Sequence, residues 1–342
     1  MLLLTALLLL PPAPPAAGST GSLERDRVVG ALGARVDAQL ANFAAYGFSG
    51  TVLVARDGEV VLVKGYGLAD VDRRVPNTAA TRYEMNSMTK MFTGVALLQL
   101  AARGAVRLRD PVGRYLADLP PVKQAATLEQ LAAHTSGLIV EGTDLAGGSR
   151  EAFVRDVART PIESPAGERY RYSNAGFSLL AAIIETVGGE SYEDYLRRHV
   201  FAPAGMQTAR FRNELPVGDP LFAHGYVGTP ERLAPGPPNP YVWGTIGAGG
   251  VWCTVGDMYR WLVALEGRRL LPEAEWRILV GPPPPPAQEA FGWHVETADD
   301  GRPRISKGGG SDDFASQLLY YPRERVSSSG RPTTCASAGA GP

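Results

Sequence analysis

The stretch that most constrains this chain is residues 87–103, SMTKMFTGVALLQLAAR. It has no internal proline, is rich in leucine and alanine, and runs into Gly104, a residue that stops helices. It therefore reads as a helix. Its apolar residues extend nearly all the way round, so it has no face to give to water. Other elements must enclose it, and that takes a sizeable core. A length of 342 residues, 44% of them hydrophobic and 20% charged, is enough for one large domain or two small ones.

The enclosing elements can be read on either side. Residues 49–66 form a β-hairpin pattern, with Val52, Val54, Val60, Val61 and Val63 as strand formers and Asp57-Gly58 as the turn. Late strands are expected at 291–296 and 315–321. Between the two ends, helices are expected at 127–133, 149–159, 175–187 and 191–199, so 107–235 reads as a mostly helical insert. A further helix follows in TVGDMYRWLVALEG, with Thr254 as its N-cap. Proline-rich loops stand at 234–240 and 282–286. The whole predicts an α+β fold, an antiparallel sheet built from both ends of the chain and flanked by helices.

Charge and composition exclude several functions. A net charge of −1 with no basic cluster argues against a nucleic-acid partner or an anionic membrane surface. Cys253 and Cys335 are too few for a disulfide framework. His134, His199, His224 and His294 are scattered, with no spacing that suggests a metal. Residues 1–19 read as a leader. Leu2 to Leu10 is too short an apolar run to span a bilayer. It is similar to the apolar region of a secretory signal, with cleavage near Ala17, so export to the periplasm or the exterior is expected. No other segment is long and apolar enough to be a transmembrane helix.

The chemistry starts with an oddity of composition. The chain has only four lysines, Lys64, Lys90, Lys123 and Lys307, and its other cations are arginines. Lys90 lies three residues after Ser87, which puts both on one face if the helix starts at Ser87. A serine hydroxyl is a poor nucleophile until its proton is removed. Arginine stays charged and cannot remove it. A desolvated lysine can, if its pKa falls from about 10.4 toward 7, a shift of roughly 4 kcal/mol. Free N–H groups at the helix start would also favour an oxyanion. Alone, the pair reads equally as a surface serine beside a snorkelling lysine. Two further stretches add weight. Tyr172-Ser173-Asn174 offers a phenol for proton relay and an amide for a substrate carbonyl, and Ser173 or Asn174 also reads as a helix N-cap. Lys307 precedes Gly308, Gly309 and Gly310, where missing side chains let a backbone or a substrate approach closely.

Taken in order, Ser87-Met88-Thr89-Lys90, Tyr172-Ser173-Asn174 and Lys307-Gly308-Gly309 resemble the three boxes of the penicillin-recognising serine hydrolases, most closely the class C β-lactamase and DD-peptidase branch. LRDPVGRYLADLP at 108–120, TLEQLAAHTSGL at 127–138, FAPAGMQTARF at 201–211 and GAGGVWCTVGDMYRW at 247–261 also resemble family segments. Coverage is about 35–322, within a catalytic domain of 30–326. The resemblance implies a serine hydrolase acting through an acyl-enzyme on a small-molecule or peptide substrate, without metal or cofactor. It implies Ser87 as nucleophile, Lys90 and Tyr172 sharing the proton work, and Asn174, Lys307 and Gly309 as substrate-binding. The N–H groups of Ser87 and Gly310 would form the oxyanion hole. His134 would be a structural turn residue. The loop 234–246, with Tyr241 and Trp243, is a candidate cleft wall.

Two departures qualify this. Gly308 lacks the hydroxyl that the family uses toward the carboxylate of β-lactams, which favours an esterase or a D-amino-acid peptidase over an efficient β-lactamase. After Val326 the chain has no Leu, Ile, Val or aromatic residue, so 327–342 is expected to be a disordered tail. The family's closing strand and terminal helix would then be missing. That loss motivates a second reading, a catalytically silent binding or sensor domain on the same fold.

Overall fold

The computed structural model describes residues 22–138, 148–229, 232–236, 241–297, 303–322 and 326–330. Its main sheet is antiparallel and has seven strands: β1 (Arg27–Val28), β2 (Gly50–Arg56), β3 (Glu59–Tyr66), β4 (His294–Thr297), β5 (Pro303–Gly310), β6 (Ala315–Tyr321) and β7 (Val326–Gly330). Their order is β1-β3-β2-β7-β6-β5-β4. Both ends of the chain contribute, as the α+β reading requires. The helices that matter for the site are α1 (Gly30–Ala45), α2 (Thr89–Ala102), α3 (Asn174–Gly188), α4 (Trp243–Gly249) and α5 (Val255–Glu266).

Successive residues of a strand point to opposite faces, so an enclosed strand is apolar on both. In β2 and β3, Val52, Leu62 and Tyr66 pack under Val36, Leu40 and Ala44 of α1. Leu53, Ala55 and Val63 face the other way, onto Val255 and Tyr259 of α5. The expected Thr254 cap is present, its hydroxyl accepting from Asp257 N at 3.1 Å.

The helix that opened the sequence argument is enclosed as required. Every residue of α2 from Thr89 to Leu100 is buried. Burying a side chain such as Leu97 contributes about 1.5–3 kcal/mol. Phe92 meets Trp261 edge-on, with ring centroids 5.0 Å apart. Gly94 allows a close crossing, because a methyl group there would lie 2.2 Å from Phe291 O. Gly247 does the same for α4 on α3, 2.3 Å from Phe177 O.

The local expectations shift in places. The helix begins at Thr89, and Ser87 sits one step earlier in a 3₁₀ turn, Asn86–Met88. The strand expected at 291–296 begins only at His294. Helices α1 and α4 were not foreshadowed, α4 because its three glycines and short length hide any period. Among the described residues no helix is long and apolar enough to cross a membrane. The leader at 1–19 lies outside the described residues.

The expected tail needs correcting. Residues 326–330 form β7, which pairs with β6 through Tyr321↔Val326 to Gln317↔Gly330 and with β2 through Ser327↔Ala55 to Ser329↔Leu53. The expectation failed because it asked whether the side chains could build a core. Strand insertion is driven here by backbone: β2 and β6 each present a row of N–H and C=O groups that must be paired. Serine and glycine carry those groups as well as valine does. Residues 331–342 lie outside the described residues.

With neighbours on both sides, each N–H of β7 has a ladder to join. Ser328→Pro removes one donor, leaves its partner carbonyl unpaired and is expected to destabilise by about 1–3 kcal/mol. Thermal melting should show a lower midpoint, and an unchanged midpoint would mean that β7 does not hold the sheet together.

Candidate active site

The nucleophile candidate is held by a strained turn. Asn86 has φ +47°, a left-handed conformation that asparagine tolerates better than most residues. Its amide donates to Ser311 Oγ at 3.3 Å. The neighbouring backbone is pinned to the sheet, since Ser316 Oγ of β6 donates to Met85 O at 3.1 Å. Gly309 makes that fit possible. A methyl group at Gly309 would lie 2.2 Å from Met85 O and 3.1 Å from Ser87 N. Gly309 is thus where β5 packs directly against the serine turn, and it is not among the cleft-lining residues.

Ser87 Oγ has two side-chain partners. Lys90 Nζ lies 3.1 Å away and Tyr172 OH donates to it at 2.9 Å. Lys90 is fully buried. Its Nζ also meets Asn174 Oδ1 at 2.7 Å and Ala248 O at 3.1 Å. These three partners suit either protonation state. An ammonium donates to all three oxygens. A neutral amine donates to the two carbonyl oxygens and accepts from the serine hydroxyl. Asn174 opens α3 behind the Ser173 cap, whose Oγ accepts from Gly176 N at 3.0 Å. The cap and the substrate-facing residue are therefore neighbours.

Burial pushes the Tyr172 phenol well above its ordinary range, with the Ser87 hydrogen bond opposing and the Glu289 charge adding to the rise. The ring stacks on His134 at 4.3 Å and 23°. Lys90 Nζ and Lys307 Nζ lie 4.8 Å and 5.2 Å from its centroid.

Lys307 turns away from the cleft. It is almost fully buried on β5 and donates to Glu289 Oε2 at 2.6 Å. Glu289 was not foreseen. In AQEAFGWH it is a lone acid in an apolar context, with no spacing that ties it to His134 or Lys307. Yet it is fully buried and central. Its Oε1 lies 2.7 Å from His134 Nε2, and its Oε2 lies 2.6 Å from His294 Nε2. Burial works against its charge. The close approach of His134 and His294, with the Lys307 charge, outweighs that and holds the carboxyl far below its usual value. Burial lowers the Lys307 amine, and Glu289 opposes it. His134 occupies a turn with φ +55° and accepts from Ser173 N through Nδ1 at 2.9 Å.

A cleft of about 360 Å³ opens over Ser87 and Asn174. Gly310, Ser311 and Asp312 line one side, and Tyr241, Thr245 and Ala248 another. Of the two aromatic residues named for the wall, Tyr241 is there, with its hydroxyl donating to Glu193 at 2.8 Å. Trp243 is not; it stacks on Phe153. At the far end Arg212 pairs with the buried Glu84 at 2.8 Å, a pair the sequence did not signal. Ser311 N donates to Phe314 O across the β5–β6 turn. Strand alternation then points the Gly310 N–H away from β6, toward the cleft that Gly310 lines.

The sequence model of the Beta-lactamase family matches residues 32–329, and the chain belongs to that family. The putative penicillin-binding protein PbpX of Bacillus subtilis is 33% identical over 238 residues, which cover 69% of this chain and 59% of that protein. This chain therefore spans less than two thirds of that relative. The structure of FmtA from Staphylococcus aureus superposes with a TM-score of 0.81 at 21% identity, covering 92% of this chain and 88% of that one. The D-amino acid amidase from Ochrobactrum anthropi SV3, complexed with D-phenylalanine, superposes with a TM-score of 0.75 at 22% identity, covering 89% and 92%. These likenesses define the β-lactamase/transpeptidase fold.

The buried cluster gives stability a pH dependence. Burial first of all holds the His134 imidazole down to about 4. In the unfolded chain it takes a proton near pH 6.5. Between these values the unfolded state binds more protons, so this contribution is full above pH 6.5 and is lost as pH falls toward 4. Glu289, also depressed, acts with the same sign below its ordinary value of 4.5. The melting midpoint should fall steadily as buffer pH is lowered from 7 to 4. A flat profile there would contradict the buried, neutral His134.

Proposed function

We propose that this protein is a serine hydrolase that works through a covalent acyl-enzyme. One observation carries the proposal: Ser87 Oγ stands in an open cleft within hydrogen-bonding reach of both a buried lysine and a half-buried tyrosine. As a neutral amine, Lys90 takes the Ser87 proton while Oγ attacks the substrate carbonyl carbon. The oxygen of that carbonyl becomes an oxyanion, received by the Ser87 and Gly310 N–H groups. Tyr172, kept as a neutral phenol by burial, delivers its proton to the leaving group and is reprotonated from Lys90. The same groups then activate a water that attacks the acyl carbon and frees Ser87. Asn174, fixed by Lys90, positions the acyl side.

The charge of the cleft bears on the substrate. A carboxylate beside the scissile bond finds little to bind. Gly308 has no hydroxyl, Lys307 is turned onto Glu289, and Arg212 is already paired with Glu84. Among the described residues no cation pairs with Asp312 on the cleft wall. We therefore favour esters, and D-amino-acid amides and peptides with no carboxylate beside the scissile bond, over β-lactams, and the fold shared with a D-amino acid amidase is in keeping with that. The apolar run at 2–10 supports export, with 1–19 as the leader.

A fluorophosphonate probe should label the protein and fail to label Ser87→Ala. No label on the parent would overturn the hydrolase reading in favour of a silent binding domain, and label on Ser87→Ala would overturn the assignment of the nucleophile. In a panel of nitrocefin, p-nitrophenyl butyrate and a D-Ala-D-Ala peptide, nitrocefin should be turned over more slowly than p-nitrophenyl butyrate. Gly309→Ala should move the serine turn and slow labelling on the order of 10²-fold. Unchanged labelling would show that the turn tolerates a methyl group against Met85 O.

A further inference from the structure

We infer that Glu289 is a positioning residue for the Tyr172 phenol, anchoring through its two carboxylate oxygens the imidazole and the ammonium that pack against the ring. The inference rests on the hydrolase reading for its kinetic consequence, but not for its structural one.

Glu289 contributes to the site without lining the cleft. Oε1 meets His134 Nε2 at 2.7 Å, and Oε2 meets Lys307 Nζ and His294 Nε2, each at 2.6 Å. The groups come from four parts of the chain: the turn after helix Leu128–Ala132, strand β4, strand β5, and the segment before β4 that carries Glu289 itself. The other charged or titratable groups that face this cluster are Lys90 from α2 and Tyr170 and Tyr172 from the segment before α3.

The donor count shows why a carboxylate stands there. Nδ1 of His134 accepts the Ser173 N–H, so the ring proton of the neutral imidazole is on Nε2, the atom that faces Glu289 Oε1 at 2.7 Å. Lys307 has only donors. His134 Nε2 and Lys307 therefore both need an acceptor at Glu289, and an ionised carboxylate is acceptor-only. Its consequence for Tyr172 follows from contact. The imidazole fixed at Oε1 stacks on the phenol ring at 4.3 Å, and the same histidine anchors the backbone N–H of Ser173, the next residue. The ammonium fixed at Oε2 lies 5.2 Å from the ring centroid. One carboxylate thus sets the ring's orientation through one oxygen and the charge beside it through the other.

Glutamine is the same size but cannot replace it. With its oxygen toward His134, its NH₂ group confronts Lys307 and His294, and Lys307 is then best accommodated as a neutral amine. Turned the other way, its NH₂ opposes the imidazole N–H. In Glu289→Gln the Lys307 charge is therefore lost at lower pH.

The test is the pH profile of kcat/KM with p-nitrophenyl butyrate for the parent, Glu289→Gln and Glu289→Asp, with fluorophosphonate labelling of the parent as control. The basic limb of Glu289→Gln should move to lower pH by at least about one unit, a tenfold change in proton affinity. Glu289→Asp, which keeps the charge, should retain the parent's limb at a lower plateau. Coincident profiles for the parent and Glu289→Gln, or an equal limb shift in Glu289→Asp, would overturn the proposal. A readout free of activity and of substitution is the long-range ¹H–¹⁵N spectrum of the parent. It should show His134 neutral, in the Nε2–H tautomer, from pH 6 to 8. The Nδ1–H tautomer, or an imidazolium, would overturn the anchoring whether or not Glu289→Gln folds. A parent that is neither labelled nor active defeats the hydrolase reading alone, and the spectrum still decides the role of Glu289.

Discussion

The Lys90 ammonium or amine is the junction on which the site depends. Its Nζ touches Ser87 from the 3₁₀ turn, Asn174 from the first residue of α3 and Ala248 O from α4. Three separate elements are thereby tied to one atom. A lysine placed without water must satisfy its nitrogen inside the protein, and it does so with oxygens that belong to the cleft. The fully buried α2 fixes the root of that side chain, with Phe92 and Gly94 packed on the following turn. The core that encloses α2 and the geometry around Ser87 are consequently one construction.

A second polar centre lies behind the first. Glu289 gathers His134, His294 and Lys307, and Tyr172 sits between this cluster and Lys90. The two lysines therefore do different things. Lys90 is at the serine, its Nζ shared between the hydroxyl and two carbonyl oxygens. Lys307 faces a carboxylate, with its Nζ 5.2 Å from the centroid of the phenol ring. In an arginine-rich chain, both positions suit a compact amine that reaches into a closed space, where a planar guanidinium needs more donors satisfied.

What was legible in the sequence was what depends on local order. Ser87, Lys90, Tyr172 and Asn174 could be picked out because each sits at a helix start or within a turn of one, and the structure links all four through Ser87 Oγ and Lys90 Nζ. The enclosed helix, the 49–66 hairpin and the Thr254 cap were readable for the same reason. Glu289 was not, because its partners lie 155, 5 and 18 residues away in sequence and no spacing rule links them. The direction of Lys307 was hidden likewise, since a lysine before glycines is the same text whether it faces substrate or a buried acid. The glycines after Lys307 were read as admitting a backbone or a substrate, and at Gly309 the close neighbour is a backbone, Met85 O. β7 escaped because its pairing rests on backbone groups, which every sequence carries.

The position of β7 has a consequence for the order in which the molecule can be made. β2 and β6 do not pair with each other; β7 lies between them and, among the described residues, is the last strand of the sheet in sequence. A chain emerging from its N-terminus first forms β2 and β3 with an unpaired edge, and it must keep that edge open through more than two hundred further residues. The two parts of the sheet meet only when 326–330 arrive. The fold is thus closed by a late, long-range event, the kind of contact that forms slowly and leaves strand edges exposed until it does. A partner that shields such an edge, or a transit route that delays folding until the whole chain is available, would act on this step above any other.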